Sequence, residues 1–414
     1  MNNSIPYGRQ NITEEDIEAV VSTLKSDYLT QGPKIANFEE AFANYVGSKY
    51  AVAISNGTAA LHLCAMALNV QQGDKVITTP ITFAASANCV RYCGGEVVFA
   101  DIDPKTYLLD IDKVKELLKA SPKGTYKGII PVDFAGRAVD LEAFRKLANE
   151  YGLWIIEDSC HAPGGYFMDS DSNKQHCGNG NFADLAIFSF HPVKHIACGE
   201  GGMITTNDEE LYEKLLQLRT HGITKNEDQY KNSIEFAIGS PVMSSGVETS
   251  DGSRIPNPES HDYPNWYMEM QDLGYNYRLT DFQAALGISQ LKRADKGLAK
   301  RREIAATYLE AFQGKEFIKG QSRVVEGHAY HLYVLEVDNR LGLYNYLREN
   351  NIYAQIHYIP CHLMPYYRNF GWKEEDMPNA EKYYQHCISL PMYPTLTNEE
   401  QIFVIKKVNQ FYDK

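Results

Sequence analysis

Short apolar runs alternate with helical segments between residue 50 and about residue 220. Runs such as Gly128–Val132 and Trp154–Ile156 are apolar on both faces, which is typical of buried strands in a parallel sheet. The predicted strands are Tyr50–Ser55, Lys75–Thr79, Glu96–Asp101, Gly128–Phe134, Leu153–Asp158, Asp184–Ser189 and Gly202–Thr206. This alternation predicts an α/β fold: a mostly parallel seven-stranded sheet with flanking helices.

Helical periodicity begins near the N-terminus. Thr13 caps a predicted first helix, whose first turn is acidic. Its predicted apolar face is formed by Ile17, Val20, Val21 and Leu24. Residues 27–35 are expected to be extended chain or loop.

The C-terminal part mixes the two periodicities. A long helix is predicted from about Asp281 into the charged stretch Lys300–Glu303. Beyond it we predict strands over residues 331–337 and 353–359, and helices over residues 341–349, 379–388 and 398–412. The chain is therefore expected to form a large domain over residues 1–299 and a smaller α+β domain over residues 300–414. Residues 239–265 are rich in Ser, Gly, Pro and Asp, so a long surface loop is expected there.

Composition excludes several classes of protein. A net charge of −13 argues against a nucleic-acid surface. The sequence contains no run of about 18 apolar residues, so no membrane span is predicted. The polar N-terminus does not have the pattern of a signal peptide. The eight cysteines are scattered and form no Cys/His ligand cluster. We therefore expect a cytoplasmic protein with free thiols and no metal site.

Three features lie at the carboxyl ends of predicted strands, where open α/β sheets bind ligands. The first is the turn Ser55–Ala59, in which Asn and Gly precede a helix. The free amides and positive dipole end of that helix suit a phosphate, with the Thr58 hydroxyl as an added donor. A plain capped turn between a strand and a helix is the alternative interpretation.

The second feature is Asp158, which ends an apolar strand. A carboxylate in this place is costly unless a cation meets it, and a protonated pyridine nitrogen would be such a cation. A salt bridge or a helix cap is the alternative. His161 is a candidate contact to the ring of the same ligand, or a structural histidine.

The third feature is Ser189–Lys194, with the glycine-rich Gly199–Gly202 close behind. Partial desolvation of a lysine just past a buried strand lowers the pKa of its amine and favours imine formation. A single lysine is more often solvated. Together, however, a phosphate turn, a strand-end carboxylate and a loop lysine are the parts that pyridoxal 5'-phosphate (PLP) needs. A nicotinamide site is not predicted, because Ser55–Thr58 lacks the G-x-G-x-x-G pattern.

At these residues the chain resembles the DegT/DnrJ/EryC/StrS family of sugar aminotransferases, which are PLP enzymes of fold type I. The motifs that carry the resemblance are Leu29–Pro33, Asn56–Thr58, Thr79–Phe83, Ile156–Asp158, Ser189–Lys194, Gly274–Arg278 and His357–Pro360. Within the family, several stretches are most similar to the UDP-4-amino-4,6-dideoxy-N-acetyl-β-L-altrosamine transaminases of pseudaminic acid biosynthesis. They are Pro6–Gln10, Ala87–Cys89, Ser189–Lys194 and Tyr358–His362.

The resemblance implies a role for each matching residue. Lys194 would carry PLP as a Schiff base and shuttle the proton, while Asp158 would keep the pyridine nitrogen protonated. The other implied cofactor contacts are Thr58, Ala59, Phe83, His161 and Ser189, with Asn276 supplied by the second subunit of a homodimer that shares its active sites. Candidates for substrate contact are Tyr7, Tyr330, His357 and His362 near the sugar and Arg278 at the donor carboxylate. The implied substrates are a UDP-linked 4-keto-6-deoxy-N-acetylhexosamine and L-glutamate, which leaves as 2-oxoglutarate.

Two further hypotheses use the same fold. A sugar dehydratase is expected to carry His at the lysine position, whereas here Lys occupies position 194 and His position 195. A non-catalytic regulatory or binding protein is disfavoured by the intact Lys194, Asp158 and Ser189. One departure from the family pattern is local: His195–Cys198 stands where smaller, Thr-rich residues are expected.

Overall fold

The computed structural model describes residues 4–238 and 263–413. Most of the predicted 239–265 loop, residues 239–262, lies outside the described residues. The strands, in chain order, are β1 (Ile5–Pro6), β2 (Tyr50–Ile54), β3 (Lys75–Thr78), β4 (Glu96–Phe99), β5 (Tyr126–Ile130), β6 (Trp154–Asp158), β7 (Tyr166–Met168), β8 (Lys174–His176), β9 (Leu185–Ser189), β10 (Gly202–Thr206), β11 (Ile223–Thr224), β12 (Glu269–Met270), β13 (Ile318–Gln321), β14 (Tyr333–Val337), β15 (Ile352–Tyr353) and β16 (Cys387–Leu390).

Helices connect these strands and cap them in the ways that the sequence suggests. Pro33 opens the second helix, and Gly47 ends it in the left-handed conformation. The helices are α1 (Glu14–Leu24), α2 (Pro33–Val46), α3 (Gly57–Ala67), α4 (Ala85–Tyr92), α5 (Ile111–Lys119), α6 (Leu141–Tyr151), α7 (Glu209–Arg219), α8 (Ile234–Ala237), α9 (Asp281–Leu291), α10 (Ala294–Phe312), α11 (Arg340–Glu349), α12 (Pro365–Arg368), α13 (Pro378–His386) and α14 (Asn398–Tyr412).

All seven strands predicted between residues 50 and 206 lie in one sheet, in the order β2-β10-β9-β6-β5-β3-β4. Each pair is parallel except those of β10, which is antiparallel to both β2 and β9. The predicted fold, a mostly parallel sheet with flanking helices, is confirmed. Aromatic residues of α2 pack on the sheet, where Phe38 and Phe42 contact Phe188 and Phe190.

The C-terminal part of the chain contains a three-stranded antiparallel sheet, β13-β14-β16. Its core contains Tyr308 and Phe312 of α10 and Val404 of α14, all fully buried. The N-terminal strand β1 joins this region by pairing in parallel with β15, because Ile5 is buried in the same core. No sequence pattern pointed to that pairing.

The backbone divides into two compact units, Met1–Tyr212 with Tyr277–Lys414, and Glu213–Asn276. In the second unit β11 pairs with β12, and Glu269 accepts hydrogen bonds from the amides of Lys231 and Asn232. The predicted domain boundary at residue 300 falls within α10 and stays a prediction. In the described residues, none of the helices is long and apolar enough to cross a membrane.

Several local predictions were wrong. The long helix predicted from Asp281 is two helices, α9 and α10, separated at Lys292 and Arg293. The strand predicted over residues 353–359 ends at Tyr353, and the helix predicted over residues 379–388 gives way to β16 at Cys387. The loop predicted over residues 27–35 ends where α2 begins at Pro33.

Helix α1 forms where it was predicted, but most of its predicted apolar face is exposed. Its buried side chains are Asp16 and Thr23, whereas Ile17, Val21 and Leu24 are exposed. Asp16 can be buried because it accepts hydrogen bonds from Arg293 and from Gln290 of α9. Local apolar periodicity cannot anticipate such contacts between distant segments.

Candidate active site

The turns that follow β2 and β9 meet at one edge of the large sheet, beside the start of β10. Gly202, the first residue of β10, pairs with Ile54 on one side and with Ser189 on the other. A Cβ atom on Gly202 would lie 2.8 Å from the carbonyl carbon of Asn56, so glycine alone permits this approach. A cavity of about 720 Å³ opens at this edge.

Helix α3 starts at the wall of this cavity. Asn56 caps it, since its Oδ1 accepts a hydrogen bond of 2.8 Å from the Ala59 amide. The amides of Gly57 and Thr58 belong to the first turn, which has no intrahelical acceptors, and both residues line the cavity. Ser189 is adjacent, because a Cβ on Gly57 would lie 3.0 Å from its Cβ atom. Two hydroxyls and a helix N-terminus thus converge, which suits a phosphate.

Asp158 lies at the carboxyl end of β6 and is only 5% exposed. Its Oδ2 accepts a hydrogen bond of 2.6 Å from the Ser86 hydroxyl, and its Oδ1 accepts one of 3.2 Å from the Cys160 amide. Within the part of the chain that the structure describes, no Lys or Arg forms an ion pair with it. A buried carboxylate without a cation in the protein is suited to a cation on a ligand.

Lys194 projects from the loop that follows β9 and lines the same cavity. Its amide donates to the carbonyl of His191, closing a tight turn at Pro192. Burial lowers the pKa of the Lys194 amine, and Arg301 lowers it further, although the nearby Cys160 and Asp158 act in the opposite direction. An amine of lowered pKa is more readily neutral, as a nucleophile or a base must be.

Aromatic and imidazole rings form another part of the cavity wall. His161 accepts a hydrogen bond of 3.3 Å at Nδ1 from the Ala135 amide, and its Nε2 lies 3.3 Å from the Tyr358 hydroxyl. Burial and the charge of Lys194 hold the pKa of His161 well below its usual value. The ring is therefore neutral, with its proton on Nε2 directed at Tyr358.

Phe83 is exposed where it borders the cavity. Its side chain is 64% exposed, and its ring centroid lies 6.4 Å from that of Tyr358. An exposed aromatic face of this kind is available for stacking against a flat ring. The cavity therefore brings together seven of the eight predicted cofactor contacts; they are Thr58, Ala59, Phe83, Asp158, His161, Ser189 and Lys194.

Of the predicted substrate contacts, Tyr7 and His357 line the cavity, with ring centroids 5.2 Å apart. Tyr330 and His362 do not line it. The Tyr330 ring is buried against His328, and its hydroxyl donates to a backbone carbonyl. His362 is fully buried and its Nε2 lies 3.0 Å from Glu381.

Two further residues that were predicted to contact the donor or the cofactor, Arg278 and Asn276, do not line the cavity. Arg278 is half-buried and forms an isolated bridge with Ile54, directly before the phosphate turn, but it does not line the cavity. Asn276 is exposed and belongs to the second compact unit, where it bridges to Thr220.

Sequence reasoning missed several residues that the fold brings to the cavity. Ser86 lies in the first turn of α4, and His331 follows directly after the predicted Tyr330. Tyr277 and Tyr358 stood within motifs but were not chosen. The sequence offered no sign that these residues line a site, because serine and tyrosine are common in helices and loops that bind no ligand. Only the motifs around them pointed to this part of the chain.

These residues fit PLP. The cavity offers an amine of lowered pKa, a buried carboxylate without a protein cation, an exposed aromatic face, and a helix start with two hydroxyls. Those groups match the aldehyde, the pyridine nitrogen, the ring and the phosphate of the cofactor.

Comparison with known proteins gives the same picture. The spore coat polysaccharide biosynthesis protein SpsC of Bacillus subtilis is 39% identical over 420 residues, which cover 98% of this chain and 97% of SpsC. The aminotransferase PseC of Helicobacter pylori, involved in the biosynthesis of pseudaminic acid, is 29% identical with a TM-score of 0.82, over 99% of this chain and 100% of PseC. The sugar aminotransferase Spr1654 of Streptococcus pneumoniae, solved in its PLP form, is 27% identical with a TM-score of 0.82, over 99% of both chains.

Residues 10–409 match the model of the DegT/DnrJ/EryC1/StrS aminotransferase family. Enzymes of this family depend on PLP, and the pyridoxamine form of Spr1654 is also similar to this chain, with a TM-score of 0.83. The chain therefore belongs to the DegT/DnrJ/EryC1/StrS aminotransferase family and is a PLP-dependent sugar aminotransferase.

Proposed function

We propose that this enzyme transfers the amino group of L-glutamate to the 4-keto carbon of a UDP-linked 4-keto-6-deoxy-N-acetylhexosamine. The observation that carries the proposal is the convergence of Lys194, Asp158 and Ser189 on one cavity. The choice of sugar is supported by the similarity to PseC, which is involved in pseudaminic acid biosynthesis, and to the polysaccharide protein SpsC.

Different residues of the cavity of about 720 Å³, called here the first cavity, would contact different parts of the cofactor. Ser189, Thr58 and the free amides of α3 would hold its phosphate, and Phe83 would stack on its ring. The Ala59 amide already donates to Asn56, so Ala59 contributes through its place in the first helical turn. Asp158, oriented by its hydrogen bond from Ser86, would keep the pyridine nitrogen protonated.

When bound, PLP supplies an electron sink for the charge left when a carbon next to nitrogen loses its proton. The protein's part in that chemistry is to move the proton. Lys194 Nζ lies at the same cavity and has a lowered pKa, so it can hold the proton and return it to a second carbon. Neutral His161 does not compete for the proton, because burial and the lysine charge keep its pKa low.

The remainder of the cavity binds the sugar. A volume of about 720 Å³ lies within the usual range for sites of small organic ligands. Tyr7 lines it, and burial raises the pKa of Tyr7 so that its hydroxyl stays a donor. His357, fixed by a contact of 2.9 Å between its Nδ1 and Ser389 Oγ, offers a polar edge beside it. Arg278 is our candidate for the donor carboxylate.

We expect the enzyme to work as a homodimer in the cytoplasm. Five exposed apolar side chains lie on α1 and the segment that follows it, and they support a second copy as the partner; they are Ile17, Val21, Leu24, Tyr28 and Leu29. Asn276 of one protomer would then reach the phosphate held by the other. The eight cysteines are free, which fits a reducing compartment.

An amination assay tests the proposed reaction. The holoenzyme is incubated with isotopically labelled glutamate and a series of UDP-4-keto-hexosamine isomers, and products are identified by mass. We expect label to enter one isomer at carbon 4, with formation of 2-oxoglutarate. Label in none of the UDP sugars, but in a keto sugar on another nucleotide, would overturn the proposed substrate while leaving the aminotransferase class intact.

A further inference from the structure

A second cavity, of about 440 Å³, lies next to the first. Its walls come from residues 9–13, from the junction between α9 and α10, and from the loop that carries Lys194. Lys194 lines both cavities, whereas His195 lines the second cavity and not the first. The departure of His195–Cys198 from the expected family pattern therefore falls on the wall of this second cavity.

The second cavity is strongly basic. The basic side chains that line it are Arg9, Lys194, Arg293, Lys296, Lys300 and Arg301. Glu303 is the acidic residue among its lining, and it pairs with Lys300 at 3.0 Å. Arg293 pairs with Asp16. In residues 4–238 and 263–413, Arg9, Lys296 and Arg301 have no carboxylate within ion-pair distance; Lys194 is not counted, because it is the candidate residue for cofactor attachment. The first turn of α10 adds the positive end of a helix dipole.

Among these basic residues, Arg301 gives the strongest indication of an anion site. It is 1% exposed, and its guanidinium donates to the carbonyls of Tyr330, His331 and Met392 rather than to any acid. Its Nε has no acceptor among the described residues. Burial without a counter-charge lowers the pKa of Arg301 to about 10. A buried guanidinium in this condition is costly and is stabilised by an anion nearby.

One more buried donor at this wall, Nε of Arg293, has no acceptor among the described residues. His195, on the same wall, is held in place by a contact of 2.8 Å between its Nε2 and the carbonyl of Ala329. Unsatisfied polar atoms on a fixed wall are what a built binding site shows before its ligand is bound.

From this charge and these unpaired groups we infer that the second cavity binds a small dianion, either a phosphate or a dicarboxylate, beside Lys194. Both ligands present several oxygen acceptors and two negative charges, which match the unpaired cations. The inference does not depend on which sugar the enzyme aminates, because it uses residues outside the first cavity apart from Lys194.

Calorimetric titration of the holoenzyme tests the inference. Loading the cofactor fills the phosphate cradle of the first cavity, so added phosphate reports on the second. Inorganic phosphate is one probe and succinate, which has no amino or keto group, is the other. We expect saturable binding of at least one probe. Phosphate alone assigns a phosphate-bearing ligand, succinate alone a dicarboxylate, and both together a general dianion site.

A double variant, Arg9→Gln with Lys296→Gln, localises the binding. Both side chains are exposed and outside the first cavity, so the fold should be retained. We expect affinity to fall at least about tenfold, which corresponds to about 1.4 kcal/mol. The matched control, Lys292→Gln with Lys315→Gln, removes two exposed lysines that do not line the cavity and should bind like the wild type. Absence of saturable binding by either probe, or equal affinity in the Arg9/Lys296 variant, would overturn the inference.

Discussion

The Ser86 hydroxyl donates a hydrogen bond of 2.6 Å to Oδ2 of Asp158. The two residues are 72 positions apart and lie on α4 and β6, so only the fold brings them together. Both side chains are buried, and the bond fixes the direction of the carboxylate. An orienting contact of this kind decides how well a carboxylate meets the pyridine nitrogen of the cofactor.

Ser86→Ala should therefore weaken both cofactor binding and turnover. A hydrogen bond to a charged group contributes about 1.5–3 kcal/mol, so we expect kcat/KM to fall about tenfold or more, with a raised Kd for PLP. Thr82→Val is the control, because Thr82 Oγ1 lies 2.7 Å from the same hydroxyl but does not touch Asp158. A fluorescence titration with PLP compares them, and equal affinities would contradict an orienting role for Ser86.

Lys194→Ala should abolish covalent cofactor attachment and turnover together. Borohydride reduction followed by mass spectrometry should show the cofactor's added mass on the wild type and none on the variant. Lys292→Ala, which removes an exposed lysine away from the first cavity, should retain the added mass. Attachment to a different lysine in the wild type would show that Lys194 was assigned wrongly.

Glu157→Gln should change how stability depends on pH. Asp133 and Glu157 are fully buried, and their carboxyl oxygens lie within 4.8 Å of each other. Burial raises the pKa of Asp133 to about 6, and burial with the charge of Asp133 raises the pKa of Glu157 well above its usual value. Carboxyls with raised folded pKa values stabilise below their unfolded pKa, near 4, and lose that contribution as pH rises through about 6 and above.

The neutral Gln side chain removes the part of this loss that comes from Glu157, while burial still raises the pKa of Asp133. We expect Glu157→Gln and the wild type to differ less at pH near 5 than at pH near 8, where the variant should be the more stable of the two. Urea unfolding at the two pH values measures the difference. Glu150→Gln, at an exposed position, should show the same difference from wild type at both. A variant less stable than wild type at the higher pH would refute the argument.

Gly202→Ala should damage the cofactor site through sterics alone. The added Cβ would lie 2.8 Å from the backbone of Asn56, and the strain should cost about 1–3 kcal/mol and displace the start of α3. In contrast, Gly297→Ala in α10 meets only a Pro394 atom at 3.5 Å and should stabilise the helix by up to about 1 kcal/mol. Thermal unfolding and PLP affinity measure both changes, and unaltered PLP affinity in the Gly202 variant would show that the turn can relax.

Much of the large sheet could be predicted because each strand carries its own signal. Runs such as Trp154–Ile156 are apolar on both faces, and that property depends on burial rather than on the identity of the neighbouring strand. Asp158 and Ser189 could be proposed as site residues because each ends such a run, and Lys194 because it lies in the loop that follows β9. In contrast, the interruption between α9 and α10 has no proline or glycine at the break itself, so periodicity read the two helices as one.

The sequence by itself determined the α/β class and the seven strands, and it indicated the candidate cofactor residues at their ends, because backbone hydrogen bonding and local burial impose short-range periods. The tertiary structure decided which distant side chains meet. It placed Ser86 on Asp158 and His331 in the first cavity, and it kept Tyr330 and His362 out of that cavity. It also buried Arg301, whose hydrogen-bond partners among the described residues are backbone carbonyls and not an acid. These outcomes depend on the packing of whole elements, which no local pattern encodes.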